Sequence, residues 1–196
     1  MQVKIFRLFL LLALILVVPL SACSKKSEEK AAKKEGPKKE GGGFVINFKP
    51  NDSLDLVPAK TLILQPGGNE GANNFCLDVV AKSIDEVSQV SFDLSFDPSL
   101  VAYRSFKPGT LFEQKGKVDY QVALKGDDKG KLGGKIGFES GGPAAGSGKV
   151  ATLCFQGQKA GRIDILFENG EMMDGKKNKV SGTNWVGGLL WILEAG

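Results

Sequence analysis

The stretch Val87 to Tyr103, VSQVSFDLSFDPSLVAY, decides how the rest of the chain is read. Phe92, Leu94 and Phe96 alternate with Ser91, Asp93 and Ser95. A period of two places the apolar set on one face of an extended strand and the polar set on the other. Asp97-Pro98 then ends the run. Proline fixes φ near about −65° and has no N–H to continue a ladder. The aspartate before it can accept from backbone N–H groups of the following turn.

Outward from this stretch the same alternation recurs. Phe44, Ile46 and Phe48 alternate, and Thr61 to Gln65 is a short β run. Phe75, Leu77 and Val79 oppose Cys76, Asp78 and Val80. Val118, Tyr120, Val122 and Leu124 follow, then Ile136 and Phe138. Ala151, Leu153 and Phe155 oppose Thr152, Cys154 and Gln156, and Ile163, Ile165 and Phe167 oppose Arg162, Asp164 and Leu166. Val186 to Leu193 closes the series. Turn residues separate the runs at Pro50-Asn51-Asp52, Pro66-Gly67-Gly68, Gly126 to Gly130 and the glycine-rich segment 141–148. No window of more than ten residues after position 44 keeps a helical period. Strands with one apolar face bury it against a second sheet. The expectation is an all-β fold, a jelly-roll-like sandwich of two sheets with about nine strands.

Ahead of this domain stand two segments of another kind. Lys4 and Arg7 precede an apolar run from Leu8 to Leu20, about 13 residues and too short to span a ~30 Å hydrocarbon core. It closes on Leu20-Ser21-Ala22-Cys23, which resembles the bacterial lipoprotein box. That resemblance implies cleavage before Cys23 and acylation of the cysteine, with acyl chains holding the protein to a membrane at ~0.8 kcal/mol per buried CH₂. Ser24 is similar to the residue found there in lipoproteins sorted to an outer membrane, where a cell has one. Residues 24–43, SKKSEEKAAKKEGPKKEGGG, carry seven lysines, four glutamates and no large apolar side chain. Such a stretch is expected to be a disordered tether, with lysines able to attract anionic lipid or cell-wall polymers. The expected organisation is a leader over 1–23, a linker over 24–43 and one domain over 44–196.

The net charge of +4 belongs to the leader and the linker, because residues 44–196 hold 17 basic and 18 acidic side chains. No basic footprint remains for a phosphate backbone, so nucleic acid is not an expected partner. Histidine is absent from all 196 residues, which removes Ser-His-Asp and Cys-His nucleophile sets and His-ligated zinc. No cofactor motif and no metal motif is present, and catalytic residues are not assigned. The acidic pairs Asp127-Asp128 and Glu171/Asp174 read as surface turns.

In order and spacing, Val87 to Tyr103, Lys107-Pro108-Gly109, GKVATLCF at Gly148 to Phe155, Gly161 to Phe167 and Gly187 to Ile192 together resemble cohesin domains. Those are β-sandwich modules that receive dockerins in cellulosome scaffolds, and they are related to a superfamily of carbohydrate-binding modules. The resemblance covers about 130 residues, from Thr61 to Leu193. It implies that the strands carrying Cys76 and Cys154 are neighbours in one sheet, so that the two side chains could meet. A structural disulfide, which would close a loop of about 79 residues, and a pair of free thiols both stay open.

The resemblance also implies a docking face, the outer side of the sheet built from the family's third, fifth, sixth and eighth strands. The matching positions here are Gln89, Ser91, Asp93 and Ser95, then Gln121, Lys135, Glu139, Arg162 and Asp164. Glu139 falls near a glutamate that the family uses for dockerin contact, and Gln89 where it often has asparagine. Ser91 departs from the family's characteristic aspartate.

Three functions follow as expectations. The first is a non-catalytic lipoprotein on the exported side of a bacterial membrane, presenting its module to a dockerin-like protein partner. The second is a carbohydrate-binding module that retains polysaccharide, for which Trp185 and Trp191 are candidate stacking platforms. The third is a structural part of an envelope secretion or pilus complex.

Overall fold

The computed structural model describes residues 43–113, 116–126 and 128–196. The leader with Cys23, and all of the tether but Gly43, lie outside the described residues, as does Asp127.

Among the described residues the domain has eleven strands and one helical turn. They are β1 (Phe44–Pro50), β2 (Thr61–Asn69), β3 (Asn74–Ser95), β4 (Val101–Pro108), α1 (Thr110–Glu113), β5 (Gly116–Lys125), β6 (Asp128–Gly141), β7 (Ala144–Gly157), β8 (Gly161–Phe167), β9 (Glu171–Asp174), β10 (Asn184–Val186) and β11 (Gly188–Glu194). The organiser is β3, whose 22 residues serve both layers of the sandwich. Its first half pairs with β2 on one side and β7 on the other, and β10 and β4 extend that layer outward. Its second half pairs with β6, then β5, on one side and with β8 and β9 on the other. From β8 that layer runs on through β11 to β1. All of these pairings are antiparallel except β10 with β2.

The sequence reading treats Phe75–Val80 and Ser91–Phe96 as two strands, whereas the structure joins them. Between them the chain bends at Ser83 and Glu86, which hold φ of 47° and 46° and shift the register with β7. Bulges of this kind turn a strand sharply and increase its twist without ending it. The opposite correction applies to Val186–Leu193, which is two strands. Gly187 separates β10 from β11, and a Cβ there would lie 2.3 Å from the Ile165 carbonyl oxygen, so only glycine lets the backbone cross so closely. The Asp97 corner works as its chemistry suggests: its Oδ1 accepts from Ser99 N at 2.8 Å, its carbonyl accepts from Leu100 and Val101, and β4 begins at once.

The two inner faces form one core. Leu62, Leu64, Leu77, Val79 and Phe155 come from the first layer, and Phe92, Leu94, Ile136, Ile165, Leu190 and Ile192 from the second. Phe155 sits at a junction, stacked on Phe75 with ring centres 5.5 Å apart and meeting the edges of Phe96 and Tyr103 at 5.4 and 5.8 Å. Buried Phe112 of α1 packs on Phe138 at 5.2 Å. On the outside of the first layer, Cys76 and Cys154 stand directly opposite in the β3–β7 register and are joined as a disulfide.

Candidate functional site

The second half of β3 turns Phe92 and Leu94 into the core, which leaves Gln89, Ser91, Asp93 and Ser95 on the outer face of its layer. Across the ladder to β6 these meet Gly137, Lys135, Gly133 and Lys131 in turn. Gln121 of β5 lies opposite Lys135 in the next pairing. Over this surface runs a groove of 640 Å³, lined by Ser91, Asp93, Gln121, Lys125, Lys135 and, from the far wall, Glu168–Glu171 with Lys179. The far wall exists because the strand alongside β3 is interrupted. After β8 ends, Asp93 exchanges backbone hydrogen bonds with Asn169 and Glu168, and pairing resumes at β9. β9 then folds back on itself, with Val180 N donating to Met172 O and Asp174 N to Asn178 O.

Asp93 is the structural centre of the groove. It is 8% exposed, and its carboxylate accepts from Lys125 Nζ at 2.7 Å and from Asn169 Nδ2 at 2.9 Å. Burial pushes its carboxyl up, but the bonds from Lys125 and Asn169 and the charges of Lys125 and Lys131 outweigh that effect and hold it below the usual carboxylate value. Lys125 reaches Asp93 by crossing over Gly133, where a Cβ would stand 3.1 Å from the lysine Cε. Asp93 therefore braces the groove from within.

The other carboxylates here have cations as well. Glu168 pairs with Lys131 at 3.2 Å and Glu171 with Lys179 at 3.5 Å. Lys135 is exposed and has no hydrogen-bond or ion-pair partner among the described residues. Gln121 Nε2 donates to Asp119 Oδ2 at 2.6 Å, and Gln89 Nε2 to Ser91 Oγ at 3.1 Å.

A second hollow of 320 Å³ is lined by Gln89, Glu139, Met173 and Lys177. Glu139 pairs there with Lys117 at 2.5 Å, and this bond, together with the carboxylate's charge, raises the Lys117 ammonium above its usual value. Its wall is the turn after β9. Asp174 Oδ1 accepts from the backbone N–H groups of Lys176 and Asn178 at 2.8 Å, and the bond from Asn178 is the chief cause that holds its carboxyl low.

The sequence-derived face thus divides. Gln89, Ser91, Asp93, Gln121, Lys135 and Glu139 line the two hollows, and Ser95 sits at the border beside Leu166. Arg162 and Asp164 lie outside both, on β8 opposite Trp191 and Leu189 of β11. Sequence reasoning did not find Lys125, Glu168, Asn169 or Lys179. The only local trace of the groove was Gly133-Gly134 beneath it. Of the tryptophans, Trp185 packs against Phe167 at 5.4 Å and over Gly170, and its indole N–H donates to Thr183. Trp191 lies half-buried on the outer face. Glu70, Cys76 and Cys154 are the one grouping of metal-ligand side chains among the described residues, but the two sulfurs are bonded to each other and offer no thiolate.

No protein-family model matches the chain, and no curated protein matches it. Solved structures do. The second type II cohesin module from the adaptor scaffoldin ScaA of Acetivibrio cellulolyticus is 17% identical, with 67% of this chain and 89% of that chain covered and a TM-score of 0.57. Type II cohesin A11 from Bacteroides cellulosolvens is 15% identical, with 68% and 98% covered and a TM-score of 0.57. A chain from a type II cohesin–X–dockerin complex of A. cellulolyticus is 16% identical, with 65% and 93% covered and a TM-score of 0.52. At these identities the likeness is one of fold, and on that ground the chain carries a cohesin-like β-sandwich domain.

Proposed function

We propose that this chain is a cell-envelope lipoprotein that holds its non-catalytic, cohesin-like module out to a protein partner, which docks over Ser91, Gln121 and Lys135. The observation that carries this reading is the charge balance of the groove. Asp93, Glu168 and Glu171 each have a lysine, whereas Lys135 stands in the hollow with none. A wall braced by internal ion pairs around one unpaired cation is a preorganised surface, which lowers the ordering cost of association. The lipobox-like Leu20–Cys23 supports the anchored location, and the cohesin–dockerin complex among the structural neighbours supports a protein as the partner. A polysaccharide reading has less to draw on. Trp185 is partly buried against Phe167, and Trp191 is a single ring set between Leu189 and Leu193 along its strand, with no second aromatic beside it among the described residues to form a stacking platform.

The test is cross-linking of the full chain in its own cells, followed by identification of what is captured. The native chain should capture a discrete protein, and Lys135→Glu should reduce that capture by at least about tenfold, a loss of ~1.4 kcal/mol or more. Equal capture by both chains, or no specific protein with either, counts against this function.

A further inference from the structure

The outer face of β11 carries a second surface that the groove does not use. β11 lies between β8 and β1, and its outward residues are Leu189, Trp191 and Leu193, an unbroken apolar column. In the ladder Leu189 is flanked by Lys49 and Asp164, Trp191 by Asn47 and Arg162, and Leu193 by Val45. A solvated sheet face would carry polar side chains along this column. Among the described residues five large hydrophobics are exposed, and three stand here: Val45 at 48%, Leu193 at 51% and Leu166 of β8 at 41%. The side chains of Asn47, Lys49, Arg162 and Asp164 have no hydrogen bond or ion pair within the described residues. The flanks are thus as unpartnered as the column.

The chain's path says what covers it. Val45 is two residues from Gly43, where the chain joins the domain, and twenty positions separate Cys23 from Gly43. Even fully extended, that many residues reach no more than roughly 70 Å. An acylated Cys23 therefore keeps the Gly43 edge of the sandwich within that reach of a bilayer. The intervening sequence has three more lysines than glutamates, which favours an anionic surface. Lys49 and Arg162 against Asp164 leave the face itself one positive charge. Tryptophan between aliphatic side chains, with cations at the rim, matches the boundary between headgroups and acyl chains.

We propose that the β8–β11–β1 face rests on the lipid surface, with Leu189, Trp191, Leu193, Val45 and Leu166 inserted at the headgroup boundary and Lys49 and Arg162 on lipid phosphates. This rests on the reading of Cys23 as the lipid anchor. In this pose the β6 side of the groove is turned away from the bilayer, while its Glu168 wall begins two residues beyond Leu166. β6 and β11 are three strand steps apart, and a twist of about 20–25° per step turns their outer faces by roughly 60–75°.

The experiment uses the full chain, purified from its membrane and reconstituted into phosphatidylcholine–phosphatidylglycerol vesicles whose acyl chains are brominated. Emission from Trp191 is the difference between the native chain and Trp191→Phe. Bromine in the bilayer should quench that difference signal, while aqueous iodide leaves it intact. Leu193→Glu, at an exposed position that the fold tolerates, should reverse both results. Flotation with the vesicles and the mass of the N-terminal peptide report the anchor separately. A chain that floats, with Trp191 open to iodide and unquenched by bromine, overturns the docking and leaves the anchor standing. A chain that neither floats nor shows the quench overturns both. Quenching without an acyl mass keeps the docking and removes the anchor. Protection from iodide without bromine quenching, with cross-linked dimers, assigns the face to a second copy and overturns the lipid assignment.

Discussion

The two halves of β3 follow one alternation, yet their outward side chains are used in different ways. In the first half Cys76 is joined to Cys154, while Asp78 accepts from Thr152 Oγ1 at 2.5 Å and pairs with Lys149 at 2.7 Å. Each of these outward groups is committed to the neighbouring strand β7. In the second half Asp93 is committed to Lys125 and Asn169 and Ser95 to the Leu166 carbonyl, while Gln89 and Ser91 bond one another above a row that includes outward-facing glycine and the unpaired Lys135. Polar residues outside a sheet therefore do not by themselves mark a binding face. A face whose polar groups satisfy each other is closed, and one that leaves groups over is available.

The comparison can be broken from its closed side. Replacing Cys76 and Cys154 together by serine releases a loop of 78-residue separation, and should cost roughly 4 kcal/mol, or a fall in Tm of roughly 10 °C, by calorimetry. The groove residues lie in the other layer, so partner capture below the new Tm should be unchanged. If capture fell while the domain remained folded, the two halves of β3 would not be independent.

A sharper cut falls on Asp93. Asp93→Asn removes the charge that Lys125 meets, and because that lysine is half exposed the cost should be about 1–2 kcal/mol. The pH dependence has a definite sign. The folded carboxyl lies below its unfolded value, so its contribution is present above about pH 3.9 and is lost as pH falls through the folded pKa. Denaturant titrations should show the native chain losing this increment on acidification, with the Asn variant lacking that step.

The smallest expected effect lies at the bend that separates the halves. Ser83→Gly or Glu86→Gly relieves a left-handed backbone at a residue bearing a Cβ, and each should raise stability by about 0.5–1 kcal/mol in urea titrations. A loss of stability instead would mean that contacts of the Ser83 or Glu86 side chain itself hold the bend.

Much of the fold was legible because a strand with one buried face writes a period of two into its residues. Phe92, Leu94, Ile163 and Ile165 are buried where the alternation put them inward. The unity of β3 was not legible, since no glycine marks the left-handed positions at Ser83 and Glu86. β9 was hidden for a different reason: GEMMDGKKNKV reads as a polar turn, and its strand character comes from pairing with Val87–Ser91, some 80 positions earlier. The candidate face was legible as a set of outward positions, but not as a site. Asp93 looks like any other outward residue until Lys125, 32 positions on, and Asn169, 76 positions on, are brought to it. Arg162 and Asp164 share the layer but not the groove, because they lie on β8 beside β11, whereas the groove's wall starts at Glu168, after β8 has ended.

The hydrogen bond from Ala195 N to the Gly43 carbonyl, at 2.8 Å, closes the domain at the point where it opens. A fold whose two ends meet in this way is suited to transplantation. Spliced between two adjacent residues in a loop of a host protein, it would ask for almost no separation of the splice points. The groove could then be displayed from a scaffold of the experimenter's choosing, held at both of its ends.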